Sequence, residues 1–192
     1  SSKAWCAAAR AHTPTTSLFA TVIERLGDEK GEAWLKGVVA NMARAPKGGD
    51  TDQIKAVASG ECGVALTNTY YAARLFKSTK AEDKAMMEKV RVVFPNQGTS
   101  GTHVNIAGAA VAKHAKHKEN AVQFMEFLAS PFAQEYFANG NNEFPAAKGV
   151  TVDNSALKAM GGTAFKSENI PLAVVAKNMV KVQQMLDRAG YK

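Results

Sequence analysis

Two neighbouring phenols carry the most specific chemistry in this sequence. The chain of 192 residues has only four tyrosines, and two of them, Tyr70 and Tyr71, stand side by side in ALTNTYYAARL. A phenol oxygen is a poor metal ligand until it loses its proton, and its unperturbed pKa is about 10. A strongly polarising cation makes that loss favourable near neutral pH. Two phenolates on one ion therefore call for a hard, highly charged metal. Zinc takes His and Cys, calcium and magnesium take carboxylates and carbonyls, and Fe3+ is the natural partner of paired phenolates. The alternative needs no ligand: one ring packs in a core while the other covers the surface.

Convergence of the two phenols depends on the backbone beneath them. Successive side chains diverge by roughly 100° on a helix and point to opposite faces of a strand, so the chain must turn at the pair. GVALTN, short and apolar between Gly63 and the polar pair Thr67 and Asn68, reads as a buried strand, and YAARLF as a helix. The switch from one to the other supplies the turn. It also places the pair at the C-terminal end of a strand, where α/β folds open their crevices.

The remaining elements follow the same alternation. Residues 4–9 read as a strand leading into the loop ARAHTPTTS, after which Leu18, Val22, Ile23 and Leu26 have helical spacing, stopped by Gly27. EAWLKGVVANMA is a helix with Trp34, Leu35, Val38, Val39 and Met42 facing inward, and Asp50 caps a short helix over TDQIKAVASG. AEDKAMMEKV is helical, RVVFPN is a strand stopped by Pro95, GTSGTHVN is a loop and NIAGAAVA a further strand. ENAVQFMEFLAS has an amphipathic stripe of Val122, Phe124, Met125, Phe127 and Leu128, and Ser130-Pro131 opens FAQEYFANG. The last long helix, PLAVVAKNMVKVQQMLDRAG, has Pro171 at its first turn and Gly190 at its end. Strands alternating with helices indicate an α/β fold with mostly parallel sheet.

Composition excludes several classes. An apolar fraction of 46% with 21% charged residues is that of a globular chain. No apolar run approaches the roughly 18 residues of a membrane span. The net charge of +7 favours anionic company, but the basic residues are dispersed and lack interleaved aromatic stacking positions, which argues against nucleic acid. There is no Ser-His-Asp order, P-loop, HExxH or GxSxG, so the chain reads as a binding protein and not an enzyme. His12, His103, His114 and His117 are metal candidates by type. AKHAKHKE, however, is a strongly basic, surface-like segment, and a solvated face is the better reading. Trp5, Trp34, Met86, Met87 and Met125 read as core residues. Cys6 and Cys62 lack metal-finger spacing, and both a bridge between neighbouring strands and two buried thiols fit their contexts.

The segments NTYYAARL, GGDTDQIKAVASGEC, GTHVNIAGAAVAKHAK with KENAVQFMEFLAS, and the closing LDRAGYK resemble the bacterial periplasmic ferric-iron-binding proteins, the solute-binding components of iron ABC importers, over essentially the whole chain. The resemblance implies a two-lobed, type II periplasmic-binding-protein fold of Venus-flytrap form with ferric iron in the cleft. Tyr70 and Tyr71 become metal ligands, Arg74 a charge that offsets the phenolates, and Asn68 a hydrogen-bond donor to anion or ligand. It further implies a periplasmic location, an importer permease at the inner membrane as partner, and a monomer when full length. A carrier of another anionic solute on the same fold is the alternative.

Members of that family carry an N-terminal stretch before the segment that begins here with SSKAWC, and it supplies much of one lobe and a further ligand. The chain is accordingly expected to hold one nearly complete lobe, about residues 1–97 and 155–192, with about 98–154 crossing back toward the other lobe. In one branch an extra ligand tyrosine follows the cysteine, in a pattern like HVYNQS; here the chain reads HTPTTS, and Pro14 cannot ligate iron. PTTS resembles instead the branch in which such a segment at a helix start holds a synergistic anion, phosphate or carbonate. Thr15, Thr16 and Ser17 would then bind it with hydroxyls, helped by the amides and positive end of a helix starting near Leu18. A plain helix cap is the alternative use of those hydroxyls.

Overall fold

The computed structural model describes residues 4–9, 13–162 and 164–191; His12 lies outside them. By contact the chain falls into two compact units, Ser1–Val104 with Phe165–Lys192, and Asn105–Ala164.

The first unit is built on short parallel strands. β1 (Trp5–Cys6) leads into α1 (Thr13–Leu26), α2 (Asp28–Ala40), α3 (Asp50–Ala58), β2 (Val64–Ala65), α4 (Thr69–Phe76) and α5 (Ala81–Met87). β1 pairs in parallel with β2, Trp5 opposite Val64 and Cys6 opposite Ala65. On the other side of β1, Met42 forms a parallel bridge to Trp5, and the Ala43 N–H donates to the Trp5 carbonyl at 2.8 Å. Three chain segments therefore run the same way side by side. Cys6 and Cys62 are joined in a disulfide, with Cα atoms 5.9 Å apart. Both are buried, against Ala56 of α3, so the bridge is part of a small core beneath the strands.

The second unit carries α6 (Lys118–Leu128), α7 (Pro131–Asn141) and α8 (Ser155–Ala159), after which α9 (Leu172–Ala189) returns to the first. α1, α2 and α9 enclose the main core. Phe19, Ala20 and Ile23 lie on one stripe of α1, and Val175, Val182, Met185 and Leu186 on one stripe of α9. That spacing brings successive apolar side chains to the same face, and each one fully buried contributes about 1.5–3 kcal/mol. α9 ends at Gly190, whose φ of 73° is left-handed. The Tyr191 N–H then reaches back to the Leu186 carbonyl and the Gly190 N–H to that of Asp187, the paired bonds of a Schellman ending. This turn folds Tyr191 into the core, where its ring meets Phe19 edge-on at 5.5 Å and its hydroxyl donates to the Ala8 carbonyl at 2.9 Å. Burial pushes the Tyr191 phenol well above its ordinary pKa.

Several expectations change in the folded chain. α1 begins at Thr13 and not near Leu18: Pro14 suits a first turn, and the Ser17 hydroxyl donates to the Pro14 carbonyl, so the PTTS segment is helix rather than loop. Gly49, not Asp50, takes the cap position of α3, and the Asp52 carboxylate accepts the Gly49 N–H at 3.0 Å. GVALTN keeps only two residues of strand, with Val64 exposed. RVVFPN and NIAGAAVA form no strand; a strand needs a neighbour to bond to, and among the described residues neither segment joins a ladder, leaving Val93 and Ile106 exposed. Met42 is buried beyond the end of α2, while Trp34 lies at the rim of the core, edge-on to Phe19. None of α6 is buried, so its apolar stripe, Phe124 and Phe127 included, is not a core face here. The compact units divide at 104/105 and 164/165. Gln97 and Thr102 bond to the Lys166 backbone in the first unit, and α8 adheres to α7 because the Asn154 side chain donates to the Ala138 carbonyl and the Asn142 side chain. No described helix is long and apolar enough to cross a membrane.

Two consequences can be measured. The disulfide closes a loop between residues 56 apart, and the chain-entropy account assigns such a cross-link about 2–4 kcal/mol. Reduction, or replacement of both cysteines by alanine, is expected to lower the urea midpoint by that equivalent. Separately, Glu32 of α2 receives Nη2 of Arg188 of α9 at 2.6 Å and Nζ of Lys36 at 3.0 Å, and these hydrogen bonds hold its carboxyl down to about 2. A depressed acid stabilises the fold above its unfolded pKa and loses that contribution as pH falls through the folded value. A carboxyl NMR titration should place the Glu32 midpoint near pH 2 and move it upward in Arg188→Ala.

Candidate metal-binding site

The parallel strands decide where functional side chains gather. Their C-terminal ends lead to the loop after Ala43, to Ala7–Ala9 before α1, and to Leu66–Asn68 before α4. The Ala9 N–H donates to the Gly48 carbonyl at 3.3 Å, tying two of these loops together. Gln53 of α3 supports the same place, its Nε2 donating to the carbonyls of Lys47 and Gly49 and its Oε1 accepting from Arg44. Asp50 joins the third loop: one of its oxygens, Oδ2, accepts the Asn68 N–H at 2.8 Å and the Asn68 Nδ2 at 2.7 Å.

Tyr70 and Tyr71 occupy the first turn of α4, immediately after Asn68. Neighbouring helical residues diverge, yet here the ring centroids are 4.4 Å apart with planes 33° from parallel, so the two phenols lie side by side. Both are half-buried, which leaves them open to a ligand while limiting their hydration. Two positive features adjoin them. The amides of a helix's first turn carry the positive end of its dipole, which favours an anionic oxygen there. The exposed Arg74 places its Cζ 5.4 Å from the centroid of the Tyr71 ring, within cation–π range. Tyr70, Tyr71, Arg74 and Asn68 are thus drawn together, with the Asn68 amide group turned to Asp50.

Thr15, Thr16 and Ser17 are buried in the first turns of α1, the helix that leaves β1 from the same strand edge. Ser17 is held on its far side by a residue distant in sequence: its Oγ lies 3.1 Å from His103 Nε2. The other ring nitrogen, Nδ1, is 3.5 Å from Thr21 Oγ1 and 3.7 Å from Glu168 Oε2, and Glu168 in turn pairs with Arg25 at 3.0 Å. Gly101 makes this junction possible. A side chain there would meet the Ser167 backbone at 2.7 Å, where Thr102 and Ser167 form a parallel bridge. His114 and His117 are exposed, and among the described residues no group of three or more His, Cys, Asp or Glu is arranged to hold a metal ion.

Asp50 and His103 are the residues that sequence reasoning misplaced, one as a helix cap, the other among four undistinguished histidines. Asp50 carried a readable signal, since it directly follows Gly48-Gly49 at a helix start. His103 carried none, because its partners are more than 60 residues away on either side.

Residues 6–160 match the family described as bacterial extracellular solute-binding protein, and the chain belongs to that family. Within it, the chain is 43% identical over 176 residues to iron uptake protein A1 of Synechocystis, an alignment covering 92% of this chain and 48% of the relative. It is 30% identical over 138 residues to the major ferric iron-binding protein of Neisseria meningitidis serogroup B, covering 70% of this chain and 40% of that one. The chain thus spans about half the length of the curated relatives it matches. A Trichodesmium protein, IdiA or FutA, solved in complex with iron and citrate, superposes with a TM-score of 0.93 at 43% identity, covering all of this chain and 60% of that one. A ferric binding protein from Campylobacter jejuni superposes with a TM-score of 0.92 at 34% identity and the same coverage. The architecture is accordingly that of a type II periplasmic-binding-protein fold over the part this chain spans.

Proposed function

We propose that this chain binds ferric iron through Tyr70 and Tyr71, together with a synergistic anion, as the solute-binding component of an ABC importer. The observation that carries the reading is the phenol pair, ring beside ring on the first turn of α4 at the C-terminal edge of parallel strands. The names of its relatives, an iron uptake protein and a ferric iron-binding protein, point the same way.

Charge accounts for the anion. Two phenolates leave a trivalent ion with one positive charge and open positions, and phosphate, carbonate or a carboxylate such as the citrate of the Trichodesmium complex would neutralise it. Thr15 and Thr16 at the start of α1 are the proposed anion side, beside Ser17 whose hydroxyl proton goes to the Pro14 carbonyl; the second N–H of the Asn68 amide is an adjoining donor, and Arg74 the cation that offsets excess negative charge. The buried Cys6–Cys62 disulfide suits an oxidising compartment, in keeping with a periplasmic protein. Release follows from reduction, since ferrous iron is softer and holds phenolate less well, or from opening of the ligand-bound form. Delivery would be to an importer permease at the inner membrane. The rest of the relatives' length is proposed to supply a second lobe and a further ligand.

Ferric phenolate absorbs visible light, which makes the reading easy to test. Protein reconstituted with ferric iron and phosphate, carbonate or citrate is expected to turn orange to purple. Tyr70→Phe and Tyr71→Phe should each weaken ferric affinity in citrate competition by about tenfold or more, equivalent to ~1.4 kcal/mol, and the double variant should be colourless. Colour retained in the double variant would overturn the assignment. Binding of phosphate or citrate without iron, unchanged by both substitutions, would favour a carrier of an anionic solute instead.

A further inference from the structure

Asp50 is a buried carboxylate, 2% exposed, which the iron chemistry above does not use. It opens α3, where the positive end of the helix favours a negative side chain. Its Oδ2 accepts two bonds from a single residue, the backbone N–H and the side-chain Nδ2 of Asn68. Asn68 is the residue from which α4 springs. Its backbone is extended, at φ −73° and ψ 144°, and its carbonyl accepts the Tyr71 N–H at 3.3 Å. An asparagine in this place ordinarily caps its own helix through its side chain. Here the side chain makes no such bond and is given to Asp50 instead.

Bonds to a carboxylate are stronger than those between neutral groups, and a carboxylate taken from water needs them. The two bonds therefore fix both the backbone and the side chain of one residue, two positions before the first phenol. Asp50 is itself well anchored. The loop before it is pinned by Gln53 to the carbonyls of Lys47 and Gly49, and Gln53 is pinned by Arg44. A rigid line thus runs from Arg44 through Gln53 and α3 to Asp50, Asn68 and the tyrosine-bearing turn.

We infer that Asp50 is the positioning residue of the phenol pair: by clamping Asn68 it sets where α4 begins and hence the direction in which Tyr70 and Tyr71 face. The inference rests on the iron reading only for its consequence, because the clamp itself acts in the iron-free protein. Two substitutions separate anchoring from charge. Asp50→Asn keeps an oxygen that can accept both Asn68 bonds and removes the charge; Asp50→Ala removes both.

The test joins tyrosine-ring NMR of the iron-free chain, specifically labelled on tyrosine, with ferric affinity by citrate competition. Asp50→Ala is expected to shift the Tyr70 and Tyr71 ring resonances and to weaken ferric binding by about tenfold or more, the scale of one hydrogen bond to a charged group. Asp50→Asn should leave the rings near their wild-type shifts and keep affinity within about threefold of wild type, well under the cost of such a bond. Unmoved rings in Asp50→Ala, or equal damage from both substitutions, would overturn the inference. Should Asp50→Ala fail to fold, Asn68→Ala, which removes only the Nδ2 bond, decides in its place: shifted rings support the clamp and unshifted rings overturn it. Ring shifts in a protein whose wild type never develops the visible band would leave the clamp standing and sink the iron reading alone.

Discussion

Two residues from each strand, Trp5–Cys6 and Val64–Ala65, pair in parallel, and the proposed ligand-binding groups of the chain leave from the C-terminal side of that pairing. So short a ladder has few hydrogen bonds and would not persist alone. Covalent and apolar forces outside the ladder stabilise it. The Cys6–Cys62 bridge ties β1 to the residue two before β2. The α1–α9 core holds the exit of β1 through the bond from Tyr191 to the Ala8 carbonyl. Loosening either support would separate the helix starts that the pairing aligns, so stability and site geometry are coupled here.

The electrostatic arrangement at that edge is one of opposed signs at short range. The first turn of α4 and the Arg74 guanidinium lie beside the tyrosines, while the Asp50 carboxylate accepts from Asn68 just before them. Asp50 Oδ2 accepts two bonds from Asn68, the residue that opens α4. The carboxylate is thereby engaged with the residue that opens α4, and the two phenols lie half-buried in the turn that follows. At the start of α1 a comparable division holds: the Ser17 hydroxyl is shared between the Pro14 carbonyl and His103, and His103 belongs to a group with Glu168 and Arg25 that ties residues 100–103 and 168 to α1.

What could be read along the chain was whatever depends on near neighbours. Helical spacing located α1, α2 and α9, and in α1 the buried Val22 and Ile23, because a 3.6-residue repeat is a property of consecutive residues; it did not pick out Phe19, and Leu26 is exposed. Gly190 marked the end of α9 for the same reason. Strands were over-read. RVVFPN and NIAGAAVA have strand composition, yet a strand exists only when another lies beside it, and composition cannot supply the neighbour. The amphipathic face of α6 was likewise legible, but whether Phe124 and Phe127 are covered depends on what packs against them.

At the candidate site the same division applies. The sequence alone determined that two phenols are adjacent, that they follow a short apolar run, and that an arginine follows one turn later, since these are matters of order and spacing. Only the tertiary structure decided that the rings lie 4.4 Å apart, that Cys6 and Cys62 are bonded, and that Asp50 and His103 reach across 18 and 86 residues to hold the two helix starts. Contacts over such separations form when the core closes, and no local pattern in the chain encodes which side chain will meet which.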